Sequence, residues 1–142
     1  MPLSNCNMNR KTIFYAILGF LQAFNGLSGL LGGYMLINDP TGNSLNLVLE
    51  WLQITPFENY LIPGIILFLF VGMGNVFGFW FTFKKKKKLA LVGLVFGLIL
   101  MVWILLQVAL IGYKDFLQPL YFTSGMLQAV AGLALLKQIK KE

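Results

Sequence analysis

Apolar residues run almost unbroken through four stretches of this chain, 13–37, 61–83, 89–113 and 116–136, and clusters of polar residues separate them. Each stretch is near the ~20 residues that, at ~1.5 Å rise, cross a ~30 Å hydrocarbon core. The pattern predicts an all-α integral membrane protein. It is a four-helix transmembrane bundle filling a single domain, residues 1–142, with spans at about 13–37, 56–83, 89–113 and 116–137.

The polar segment between the first two runs has a grammar of its own: NDPTGNSLNLVLEWLQITPFENYLIPG, residues 38–64. Asn38 to Gly42 is dense in turn formers, and Pro40 biases Asp39 away from helix, so the first span should end there. Ser44 is placed to cap a following helix. Asn46, Glu50 and Gln53 then recur on one stripe, opposite Leu45, Val48, Leu49 and Leu52, with Leu47 and Trp51 on the flanks. This predicts a short amphipathic outer helix over 44–53, too short to span and expected to lie flat at the interface. Thr55, Pro56 and Glu58 read as a capping box that starts the second span at Pro56. Tyr60 would then join an aromatic belt. Pro63, inside that helix, should kink it. Asp39, Trp51, Glu58 and Tyr60 mark this segment as an outer lid.

Composition agrees with a membrane location. The chain is 58% hydrophobic and 11% charged, where a soluble domain carries about 25% charged residues. Mean hydropathy is +0.77. The net charge of +6 is distributed unevenly. Arg10 and Lys11 precede the first run, Lys84 to Lys88 fill the joint between the second and third, and Lys137, Lys140 and Lys141 close the fourth. Only Lys114 lies in the other set of loops. The positive-inside rule then predicts a multi-pass protein of the cell membrane with both termini and the lysine joint cytoplasmic. The lysine run could alternatively recognise anionic lipid or an acidic partner. Basic charge on so apolar a chain points to membrane orientation and not to nucleic acid. The first run lacks a small-residue cleavage site and is expected to stay in the protein.

Several chemistries are excluded by residue type. The chain has one cysteine, Cys6, and no histidine. An internal disulfide, a C-x-x-C pair, a His–Ser triad and imidazole metal or haem ligation are therefore ruled out. No acidic or basic residue falls inside a span core, which argues against proton relays and voltage sensors. No catalytic residue, metal site or cofactor is expected. What the spans do carry is amides and glycines at helical spacing. Gln22, Asn25, Gly29 and Gly32/Gly33 align on the first span; Gly64, Gly72, Asn75 and Gly78 on the second; Gly93, Gly97 and Gln107 on the third; Gly125, Gln128 and Gly132 on the fourth. Small residues allow close helix contact and amides bond across it. These faces therefore form either the packed centre of the bundle or a polar-lined pocket for an amphipathic ligand. Gln22, Asn25, Asn75, Trp103, Gln107 and Gln128 are the candidate ligand-binding residues. Gln22, Asn25 and Gln128 are expected near mid-depth, and Gln107 one turn beyond Trp103.

The order of NDPTG, an amphipathic segment, TPFENYLIPG, a basic joint, W…Q…IGY and FLQPLYF resembles a class of small, mostly uncharacterised bacterial four-span membrane proteins. It is broadly similar to the DoxX-like family and its relatives. That resemblance implies a four-helix bundle and, in some members, association with redox or lipid-linked systems. Three functions follow as expectations. The first is a non-enzymatic membrane protein that binds a lipid or other amphipathic ligand, or serves as an accessory subunit to a partner membrane protein. The second, carried by the resemblance alone, is a quinone-linked oxidoreductase component. The third is a small dimeric transporter or channel, in which Gly93-x-x-x-Gly97 would supply the contact of a homodimer.

Overall fold

The computed structural model describes residues 2–84 and 88–141, with side chains from Asn9 onward except that of Leu89. Cys6 and Lys85 to Lys87 therefore fall outside the described side chains. The elements in order are α1 (Pro2–Asn38), two short 3-10 turns (Asn43–Leu45 and Leu49–Leu52), α2 (Leu61–Ile66), a π-helical segment (Leu67–Met73), α3 (Gly74–Phe83), α4 (Lys88–Ile111) and α5 (Leu117–Lys140). No strand occurs among the described residues. Four helices are long and apolar enough to cross a membrane: Asn9–Asn38, Leu61–Phe83, Ala90–Ile111 and Leu117–Lys140. The second is a composite of α2, the π segment and α3.

The helices alternate in direction, so the start of α1, the end of α3, the start of α4 and the end of α5 lie at one end of the bundle. Leu18 of α1 packs there with Ala90 of α4 and Ala131 and Leu135 of α5. We call this the termini end and the other the loop end. Leu36 of α1 packs with Leu52 and Tyr60 at the loop end. Between these clusters α1 runs close along the second span, and α4 along α5. Backbone approach at both seams requires glycine. A Cβ on Gly29 would sit 2.6 Å from the Gly72 nitrogen, and one on Gly97 would sit 2.7 Å from the Ala129 nitrogen. Gly93 is likewise closed off by Leu18. The Gly93–Gly97 face is thus used inside the bundle, which corrects its reading as a dimer contact.

Three local expectations in the outer segment are corrected. The helix over 44–53 is replaced by the two 3-10 turns. Asn46 takes a left-handed φ of 56° and Val48 is extended, at φ −117° and ψ 141°. Chain entering and leaving through a tight lid cannot sustain an α-helix of about ten residues, and isolated helices so short have little intrinsic stability. The second span begins at Leu61, not Pro56. Thr55 Oγ1 does accept the Phe57 N–H at 3.2 Å, but it also donates to the Leu52 carbonyl at 2.8 Å and closes a turn. Pro63 consequently falls in the first turn of α2, where a missing N–H costs nothing, and not in the helix interior. The departure from α-helix comes instead at Leu67–Met73, where the span lies closest to α1.

Candidate functional site: a closed amide core and a lateral groove

Three amides and one hydroxyl from three spans meet in the centre of the bundle. Ser124 Oγ on α5 donates to Asn25 Oδ1 on α1 at 2.7 Å. Asn25 Nδ2 donates to Gln128 Oε1 on α5 at 2.8 Å. Gln128 Nε2 donates twice, to Asn75 Oδ1 on α3 at 2.8 Å and to the Gly93 carbonyl of α4 at 3.0 Å. Asn75 Nδ2 donates to the Val71 carbonyl at 2.8 Å, within the π segment. The chain of bonds runs one way, from Ser124 to two backbone carbonyls, and it touches all four spans. Asn25, Asn75 and Gln128 are fully buried. Helical spacing brings this about: Ser124 and Gln128 are one turn apart on α5 and share a face.

Each amide here uses both its oxygen and its NH₂ on other protein groups. A headgroup entering the centre would have to break those bonds in a low-dielectric interior, where an unpaired polar group costs about 1–3 kcal/mol. Of the two readings of the amide faces, the geometry favours packed centre over pocket for Asn25, Asn75 and Gln128. Ser124 was not singled out in the sequence, although its spacing of four from Gln128 was a usable signal. The Gly93 carbonyl carries no side-chain signal at all.

Gln22 is set apart from this network. It lies three positions before Asn25 on α1, close to the middle of the Asn9–Asn38 helix. It is fully buried with Gly78 beneath it; a Cβ there would lie 2.7 Å from Gln22 Nε2. Neither Gln22 Nε2 nor Oε1 meets a hydrogen-bond partner, and neither does Thr82 Oγ1 one turn further along α3. Gln107 is half-buried on α4 and takes no part in the network.

Trp103 lies elsewhere again, on the wall of a groove between the second and third spans. Ile66, Phe70 and Val71 form one side and Val95, Leu98 and Val102 are among the residues of the other. The groove encloses about 400 Å³ and opens sideways, toward the surface a bilayer would cover. It exists because the second span and α4 diverge while each packs tightly on its other neighbour. Trp103 Nε1 is buried there without a partner.

Three of the four residues expected to mark the outer lid, Asp39, Trp51 and Tyr60, hold it, with different roles. Asp39 Oδ2 accepts the Ser44 N–H at 2.9 Å, and its Oδ1 accepts the Thr41 hydroxyl and the Thr41 N–H. The Thr41 hydroxyl, followed by the Ser44 backbone, holds the Asp39 carboxyl below its usual range. Asp39, and not Ser44, is therefore the capping side chain. Tyr60 is 5% exposed, which corrects its placement in a lipid-facing belt. Its hydroxyl donates to the Val48 carbonyl at 2.7 Å and its N–H to the Pro40 carbonyl at 2.9 Å. Gly42, at φ 82°, leaves room for the Tyr60 ring. Trp51 carries the Lys114 ammonium 5.5 Å above its ring, tying the lid to the α4–α5 turn. Gln118 closes that turn, accepting the Lys114 N–H at 2.8 Å and donating to the Gly112 carbonyl at 3.3 Å. Glu58 is exposed and holds none of this together. Comparison with protein-family models, with curated proteins and with solved structures gives no match.

Proposed function

We propose that this chain is a non-enzymatic, multi-pass protein of the cell membrane, with both termini cytoplasmic, that holds a lipid chain in the groove between its second and third spans. The observation that carries this reading is the groove itself: an apolar, sideways-opening cleft of about 400 Å³ lined by Trp103, whose indole N–H is buried behind the ring surface without a partner. A saturated chain matches the apolar walls, and a rotation of the Trp103 side chain would bring its unpartnered N–H to an ester carbonyl. The amides of the core support the same choice from the other side, because they bond to one another and offer a ligand little.

The test is native mass spectrometry of protein released gently from the membrane, for the natural chain, Leu98→Trp and Trp103→Phe. Leu98→Trp fills the groove and should remove the lipid held there, one fewer per chain. Trp103→Phe keeps the shape and loses the donor, so retention should fall by about 5- to 10-fold, the equivalent of one hydrogen bond. Equal lipid retention in all three proteins refutes the groove. A bare dimer instead favours a second reading, an accessory subunit or homodimer. That reading has its own support: α4 is the least covered of the four spans.

A further inference from the structure

A second cleft lies at the termini end, between α1 and α5, about 350 Å³ in volume. Arg10, Ile13 and Phe14 line it from α1, and Ala134, Lys137 and Gln138 from α5. Spacings of three and four put each trio on a single helix stripe. The two cations therefore converge on one cleft from helices 127 positions apart in the chain (137 − 10). Orientation of a membrane protein needs basic charge near the interface, but it does not need that convergence. Among the described residues, no acidic side chain lines the cleft. Below the cations the lining is apolar, and Gln138 Oε1 is buried there without a partner.

We infer that this cleft binds the phosphate of an anionic glycerophospholipid in the leaflet on the termini side. The lining grades from cationic to apolar, as such a lipid does from phosphate to chain. The Arg10 guanidinium offers a planar donor fork suited to phosphate oxygens, and Lys137 adds a point charge from across the cleft. Ile13, Phe14 and Ala134 take the glycerol and the first methylenes. The site is separate from the groove beside Trp103, on other helices and at the other end of the bundle, and stands or falls independently of it.

The experiment is lipid competition read by native mass spectrometry, with phosphatidylglycerol and phosphatidylcholine of matched chains. The natural protein should retain phosphatidylglycerol preferentially. Arg10→Gln with Lys137→Gln should reduce that preference by about 30-fold, from about 5-fold per basic residue. Each single variant gives the 5-fold step should the double variant not fold. Lys140→Gln with Lys141→Gln removes the same charge from the same end and should keep the preference. Equal loss in both double variants means a diffuse field and overturns the site, as does no loss in either. Inorganic phosphate is the remaining arm. Should phosphate alone raise the melting temperature as far as phosphatidylglycerol, and through Arg10 and Lys137, the lipid assignment is overturned in favour of a free anion.

Discussion

Asn25 and Gln128 are 103 positions apart in the chain and meet at 2.8 Å, the amide of one donating to the carbonyl oxygen of the other. Everything else in the polar core is oriented by that bond. Once Gln128 Oε1 accepts from Asn25, its NH₂ is committed to Asn75 and to the Gly93 carbonyl. The amide thereby fixes the relative position of α1, α3, α4 and α5. In a membrane, where apolar burial gives helices little reason to associate, such bonds and close backbone contact set the arrangement.

Gln128→Leu removes three hydrogen bonds and leaves Asn25 Nδ2 and Asn75 Oδ1 facing an apolar group. At about 0.6–1.7 kcal/mol per bond, a loss of roughly 2–5 kcal/mol is expected. Ser124→Ala removes one bond and should cost about 1 kcal/mol. Reversible unfolding in mixed micelles measures both. Gln107→Leu is the matched control, since Gln107 stands outside the network, and it should leave stability within about 0.5 kcal/mol of the natural protein. A larger effect for Gln107 than for Gln128 would contradict the core as described.

Gly29→Ala tests the seam between α1 and the second span. Its new Cβ would stand 2.6 Å from backbone, not from a movable side-chain tip. The helices must separate, at a cost of about 1–3 kcal/mol. Gly112→Ala forms a contrast: nothing lies within 4 Å of that Cβ, and the penalty comes from its φ of 77° alone, of order 1 kcal/mol. The same unfolding assay should rank Gly29→Ala at or above Gly112→Ala; the reverse order would mean that the seam is loose.

Asp39 gives the lid a pH dependence of defined sign. Its carboxyl is held low by the Thr41 hydroxyl and the Ser44 N–H. A lowered folded value means that the cap is fully present above the ordinary aspartate value and is lost as pH falls through the lowered one. The Ser44 amide resonance should therefore titrate with a midpoint below that of a free aspartate, and Asp39→Asn should abolish the titration. A midpoint at or above the ordinary value would show that the carboxylate is not bonded as described.

Lys114 over Trp51 is exposed to water, so its contribution should be small. Lys114→Met is expected to cost at most about 0.5–1 kcal/mol globally. Its visible effect is local: proteolysis within the segment 43–55 should speed up, because the lid loses its tie to the α4–α5 turn. Unchanged cleavage would show that Tyr60 and Asp39 hold the lid without it.

Much of the fold is legible from residue order because spanning length and apolarity are local properties. The four runs and the end of α1 near Asn38 are set by composition and by turn residues acting on their neighbours. The amides Asn25, Asn75 and Gln128 could be placed on helix faces, since that needs only the helical period. Partner choice could not be read. Whether an amide meets another amide, a carbonyl or a ligand depends on which helices adjoin and at what height, and that is a property of the assembled bundle. Gln22 and Gln107 show the same limit: identical in type and spacing logic to Gln128, they end in different surroundings. The lid departs from its residue pattern for a related reason. The polar stripe at Asn46, Glu50 and Gln53 suited a helix, but Asp39, Tyr60 and the Pro40 carbonyl bind the same stretch into tighter turns. The π segment at Leu67–Met73 left no local mark either, because it answers to the close approach of α1. The sequence by itself determined that this protein is four apolar helices with charge gathered at one end. Only the tertiary structure decided that its amides close on one another, that a groove remains beside Trp103, and that Arg10 and Lys137 face a common cleft, because each of these requires contacts between residues that the chain keeps far apart.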